Sequence, residues 1–123
     1  ENQYSSALYE HKAFTFNPES GFLALPYSGW TYDGVTDGFD TGIKTFTVSP
    51  TDIAETASLS FYADAQDAYE PEAQRSLYIG DYMYGMSRCR LVSAPIADPA
   101  ATVQSLPLFD GATCPDSTYY YYW

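Results

Sequence analysis

Hydrophobic positions in this chain fall in short runs, broken at fairly even intervals by clusters of Gly, Pro, Asn, Asp and Ser. No stretch carries apolar residues at the three- and four-residue spacing of an amphipathic helix. The period is nearer two, that of a strand with one buried face. "KAFTF" meets the turn cluster "NPESG" and resumes as "FLALPYS". The Gly/Asp-rich "WTYDGVTDGFDTG" reads as a long loop leading to "IKTFTVS". "PTD" then turns into "IAETASLSF", which alternates through Ile53, Glu55, Ala57, Leu59 and Phe61. These runs predict a first set of four strands. The polar segment "YADAQDAYEPEAQ" has only acidic charges and reads as an exposed connection. A second set follows: "SLYIG" turns through Gly80-Asp81 into "YMYGMS", then come "CRLVSAPI", the turn "DPAA" and "TVQSLPL".

Two sets of four short strands, repeating at a period of about sixty residues, match the pattern of propeller blades. The predicted fold is all-β: two four-stranded antiparallel propeller-type blades, a partial β-propeller. Residues 1–123 form one module, with a first blade at about 8–62, a second at 75–108 and an aromatic tail at 109–123. "RSLYIGDYMYGMS" is the expected inner hairpin of the second blade. Its first strand reads as a continuous apolar run, which predicts burial on both faces. Gly80 gives its turn the backbone freedom that a side chain would obstruct.

Three segments carry a family resemblance: "LYEHKAFTFNPESGFLALP", "GFDTGIKTFTVSPTDIAETASLSF", and "RSLYIGDYMYGMS" with its continuation "RCRLVSAPIADPAATVQSLPL". In order and spacing they resemble the C-terminal part, the last two blades, of the secreted β-propeller-domain proteins of bacteria and archaea. The resemblance implies an extracytoplasmic propeller and supplies no catalytic residues. Two blades cannot close a ring. The remainder of a propeller is then expected on a cleaved or separate chain, or from further copies, unless a truncated version packs differently.

Composition narrows the function classes. Hydrophobic residues make up 46% of the 123, enough for a core. Thirteen Tyr and seven Phe favour strands. Sixteen acidic residues against five basic ones leave a formal net charge of −11, which repels phosphate backbones and makes nucleic acid a poor partner. Cations, basic partners or simple solubility fit better. No run approaches the roughly 20 apolar residues of a membrane span. The chain opens at Glu1 without a leader-like segment, so either a leader has been removed or a longer chain has been divided.

Candidate chemistry is sparse. Cys89 and Cys114 match no metal-binding spacing and are expected to form a disulfide that fastens the tail, in keeping with a secreted or cell-surface protein. Asp33, Asp37 and Asp40 share a glycine-loosened loop that reads either as a calcium site or as a solvated acidic loop. A more dispersed acidic set is Asp64, Asp67, Glu70 and Glu72. No other cofactor is implied. His11, the single histidine, and Arg75 read as structural: His11 hydrogen-bonded across a blade edge, Arg75 tying the blades through a carboxylate or carbonyl. Tyr119, Tyr120, Tyr121, Tyr122 and Trp123 would be an aggregation hazard if bare, so this run is expected to be covered, within the domain or between chains. No nucleophile motif, phosphate loop, metal triad or paired-carboxylate setting points to an enzyme. The leading expectation is an extracytoplasmic structural or assembly module, whose blade edges and aromatic tail pack against other copies or companion propeller chains. The alternative is a ligand- or carbohydrate-binding propeller fragment, with or without calcium.

Overall fold

The structure, a computed structural model, describes residues 2–31, 38–61, 72–101 and 103–108. Nine strands form two antiparallel sheets among these residues. The first sheet holds β1 (Asn2–Tyr4), β2 (Thr15–Asn17), β3 (Phe22–Thr31), β4 (Gly38–Val48) and β5 (Ile53–Ser60). The second holds β6 (Arg75–Ile79), β7 (Tyr82–Met86), β8 (Arg90–Pro95) and β9 (Gln104–Pro107), paired in chain order. The only helical element among the described residues is one 3-10 turn at Ser6–Leu8, capped by the Ser5 hydroxyl. The fold class is all-β, with two sheets stacked as propeller-type blades.

The first sheet departs from its expected outline in three ways. It has five strands, because Asn2–Tyr4 pairs with Ser28–Trp30 of β3 while β2 pairs with Phe22–Ala24 of the same strand. The described ends of the segment expected as a long loop are strand: β3 runs through Thr31 and β4 begins at Gly38. Trp30 and Phe39, cross-strand partners with ring centroids 5.4 Å apart, extend the hairpin by an aromatic contact. The alternation along β5 is also broken. Glu55 pairs with Phe46 and Ala57 with Thr45, leaving Thr56 as an extra residue at a bulge. The bulge turns Ile53 and Glu55 to the face opposite Ala57 and Leu59, so the five-residue alternation read from the sequence does not hold.

The core lies between the sheets. Phe22 and Ala24 of β3, Ile43 of β4 and Leu59 of β5 pack with Phe61 and Ala73 against Met83 of β7 and Val92 and Ala94 of β8. Gly85 lets the sheets approach: a Cβ there would lie 2.3 Å from Ile43 Cγ1. Ser76 of β6 is the polar clasp between them. Its N–H donates to the Ala13 carbonyl at 2.8 Å and its hydroxyl to the Ala24 carbonyl at 2.8 Å. The connection is pinned as well, since the Ala73 N–H donates to the buried Thr41 hydroxyl at 2.7 Å and the Gln74 N–H to the Met86 carbonyl at 2.8 Å.

The β6–β7 hairpin turns at Gly80, with φ 57°, between the partners Ile79 and Tyr82. β6 itself is not buried on both faces. Leu77, Tyr78 and Ile79 are exposed and only Ser76 is buried. An edge strand with one short neighbour leaves a continuous apolar run uncovered.

Candidate functional site

Strand pairing sorts the side chains of each sheet into a packed face and an outward face, because alternate residues point to opposite sides. In the second sheet Met83, Gly85, Val92 and Ala94 face the first sheet. The opposite face carries Leu77 and Ile79 of β6, Tyr82, Tyr84 and Met86 of β7, Leu91 and Pro95 of β8 and Leu106 of β9, with the polar Ser93 and Gln104 beside Tyr84. Ile79 is 66%, Leu106 57% and Tyr82 51% exposed. Arg75, opposite Met86, is the only charged residue in this face among the described residues. With strands about 4.8 Å apart and about 3.3 Å per residue, it presents roughly 300 Å² of nearly uncharged sheet.

The outward face of the first sheet differs. Leu23, Leu25 and Tyr27 of β3 stand beside Lys44 and Phe46 of β4. Leu25, Pro26, Tyr27, Lys44 and Phe46, with Gln3, Tyr4, Ser5 and Leu8 from the N-terminal segment, line an open cleft of about 260 Å³. The Lys44 ammonium lies 5.4 Å from the centre of the Tyr27 ring, donates to Gln3 Oε1 at 3.2 Å and sits 3.8 Å from Glu55 Oε2. The bulge that turned Glu55 to this face makes that ion pair. The cleft is an apolar floor with one positive charge at its side.

Behind it lies a hydrogen-bonded carboxylate. Asp40 Oδ2 accepts from the Tyr27 hydroxyl at 2.7 Å, and Oδ1 accepts from the Ser60 hydroxyl at 2.6 Å and the Thr41 N–H at 2.9 Å. Burial, with the Asp40 contact adding to it, pushes the Tyr27 phenol well above its ordinary range. Asp40 thus spends its lone pairs on this sheet. Asp33 and Asp37, the other members of the expected calcium loop, lie outside the described residues, as do Asp64, Asp67 and Glu70 of the dispersed set. Glu72 accepts from the Tyr4 hydroxyl. Among the described residues no group of three or more His, Cys, Asp or Glu side chains is placed to hold a metal.

His11 is found on an exposed turn before β2, with the Glu10 carboxyl at 3.6 Å. The Glu10 carboxyl is held below its usual range, first by the Lys12 N–H it accepts from and then by nearby cations including Arg75. Arg75 opens β6 on the surface. Its neighbour Ser76 is a tie between the sheets that pattern reading passed over: a serine at the head of an apolar run is a visible signal, but its partners are distant in the chain. Cys89 is buried and is not a free thiol. Its expected partner Cys114, and the tail residues Tyr119, Tyr120, Tyr121, Tyr122 and Trp123, lie outside the described residues.

A family model described as "Beta propeller domain" matches residues 1–98 of the chain. No curated protein and no solved structure matches it significantly.

Proposed function

The chain belongs to the Beta propeller domain family, and on that premise we propose that it is an extracytoplasmic interaction module whose outward sheet faces dock other protein chains. The observation that carries this reading is the outward face of the second sheet. Contiguous apolar patches of several hundred Å² mark interaction sites on soluble proteins. Blades cover such faces with the neighbouring blade, so this face fits a further propeller-type sheet. The partner is therefore a β-sheet-bearing chain, either a further copy or a companion propeller chain. The module works by contact rather than catalysis, in line with the last-two-blades resemblance. A placement outside the cytoplasm fits the cysteine pair, which is proposed as a Cys89–Cys114 disulfide.

Covalent labelling of tyrosine tests the reading. Tyr82 should react readily in the protein diluted to a single chain and be protected in the natively assembled protein. Equal reactivity of Tyr82 in both preparations would show that the face is not a contact surface.

A further inference from the structure

We propose that the cleft between the β2–β3 and β6–β7 turns binds a neutral saccharide, held between the Asn17 amide and the Asp81 carboxylate. The site lies at the strand ends and goes beyond the docking reading above. The turn after β2, the Gly80-Asp81 turn and the exit of β8 together line a cleft of about 460 Å³, a size that suits a small-molecule ligand.

The walls of the cleft are fixed by bonds of their own. Asn17 Oδ1 accepts from the Glu19 N–H at 3.0 Å and the Ser20 N–H at 3.4 Å, and the Asn17 carbonyl accepts from the Gly21 N–H at 2.9 Å. Across the cleft the Asp81 carbonyl accepts from the Ile96 N–H at 2.9 Å, and Ile96 packs against the core. Two turns held in this way need little ordering when a ligand arrives.

The groups left over select the ligand. With its oxygen engaged, the Asn17 amide keeps two N–H donors without a partner among the described residues. The Ser20 oxygen accepts from the Phe22 N–H at 3.3 Å, which leaves its proton to donate. The Asp81 carboxylate has no partner among the described residues. A Cβ at Gly80 would meet nothing within 4 Å, so there is room beside that carboxylate. Pro95, Ile96 and Ala97 supply an apolar wall. An anion would be repelled by Asp81 and by the charge of −11. A cation would suit Asp81 but would face the positive ends of the Asn17 and Ser20 donors. A sugar meets every requirement at once. Its hydroxyls accept on one wall and donate on the other, and the C–H face of its ring lies on the apolar wall.

The test is saturation-transfer NMR of the full chain with glucose, galactose, mannose and N-acetylglucosamine, each free and as a disaccharide, and with putrescine as a probe cation. At least one saccharide should take up saturation, with a dissociation constant on the order of 1 mM, as expected for a ligand of about a dozen atoms. Asp81→Asn keeps the shape of the side chain and removes its charge. Asn17→Asp keeps the oxygen that holds the turn and removes the donors. Each should weaken the saccharide about tenfold or more, the loss of a hydrogen bond to or from a buried-wall group of this kind, with the melting temperature unchanged. Asp81 is exposed at its turn, so Asp81→Asn decides the matter even where a change at Asn17 unfolds the sheet.

No transfer to any saccharide of the panel at about ten times that concentration overturns the proposal. Putrescine binding that tightens in Asn17→Asp would then assign the cleft to a cation. Saccharide binding undiminished by Asp81→Asn places the sugar elsewhere and overturns the site. None of these outcomes bears on Tyr82 labelling, so the docking reading stands or falls separately.

Discussion

Tyr27 places a phenol against the Asp40 carboxylate in a buried setting, and that fixes how the protein responds to alkali. Its ordinary value of 10.0 is raised in the folded chain. Below about pH 10 both folded and unfolded chains keep the proton, and the Tyr27 contribution to stability is whole. Above it the unfolded chain releases the proton while the folded chain holds it. Stability then falls as pH rises toward the folded value. Tyr27→Phe removes this titration. The stability difference between wild type and variant, followed by urea midpoints from about pH 8 to 11, should shift against wild type once pH passes about 10. A difference that stays constant across that range would show that Tyr27 titrates alike in both states.

The stacking of the elements depends on Gly85. A methyl group there meets the fully buried Ile43 at 2.3 Å and Val92 at 3.2 Å. Gly85→Ala should cost about 1–3 kcal/mol by overpacking, seen as a lower urea midpoint. Combining it with Ile43→Ala should cost less than the two single losses together, because the cavity accepts the methyl. A Gly85→Ala variant as stable as wild type would mean that the sheets do not meet at this point. Elements of this kind were legible where the pattern was local. The β2–β3 and β6–β7 hairpins announce themselves by short apolar runs on either side of the turn signals Asn17–Gly21 and Gly80-Asp81. What depended on a distant partner was not legible. The glycine-rich ends of β3 and β4 are strand because Trp30 and Phe39 pair across them. The Thr56 bulge reverses the face of Ile53 and Glu55 only because Phe46 claims Glu55. The candidate site hid for a related reason. The apolar run Leu77–Ile79 reads the same whether both its faces are covered or one is bare, and Lys44 joins Tyr27 and Gln3 only once three strands are aligned.

For the whole molecule, Cys89 sits where the second sheet ends. The Leu108 N–H donates to the Cys89 carbonyl at 2.8 Å, so the chain leaves β9 beside it. A Cys89–Cys114 disulfide would fasten the following residues to that corner and contribute on the order of 3 kcal/mol through the closed loop. The purified, unreduced protein should resist alkylation at both cysteines and melt at a lower temperature after reduction. Modification of both thiols without a reductant would refute the pairing. The charge of −11 acts at the same scale: it favours solubility and opposes the close approach of copies, so any association through the outward faces should strengthen as salt rises.

The inner edge of the first sheet is made of two separate strands on one long partner. β1 holds Ser28–Trp30 and β2 holds Phe22–Ala24, leaving Leu25–Tyr27 unpaired on that side. Pro26 stands in the middle of the gap, where it has no N–H to leave unsatisfied, and its carbonyl accepts from the Ser5 hydroxyl. The consequence is mechanical. Tension drawn through the first residues is taken by the three pairs of β1 and the side-chain bonds of Gln3, Tyr4 and Ser5, and the break at Pro26 keeps the unzipping from running on into β2. Pulled from its first residues, the chain should therefore release β1 before β2, as a separate step in a force–extension trace.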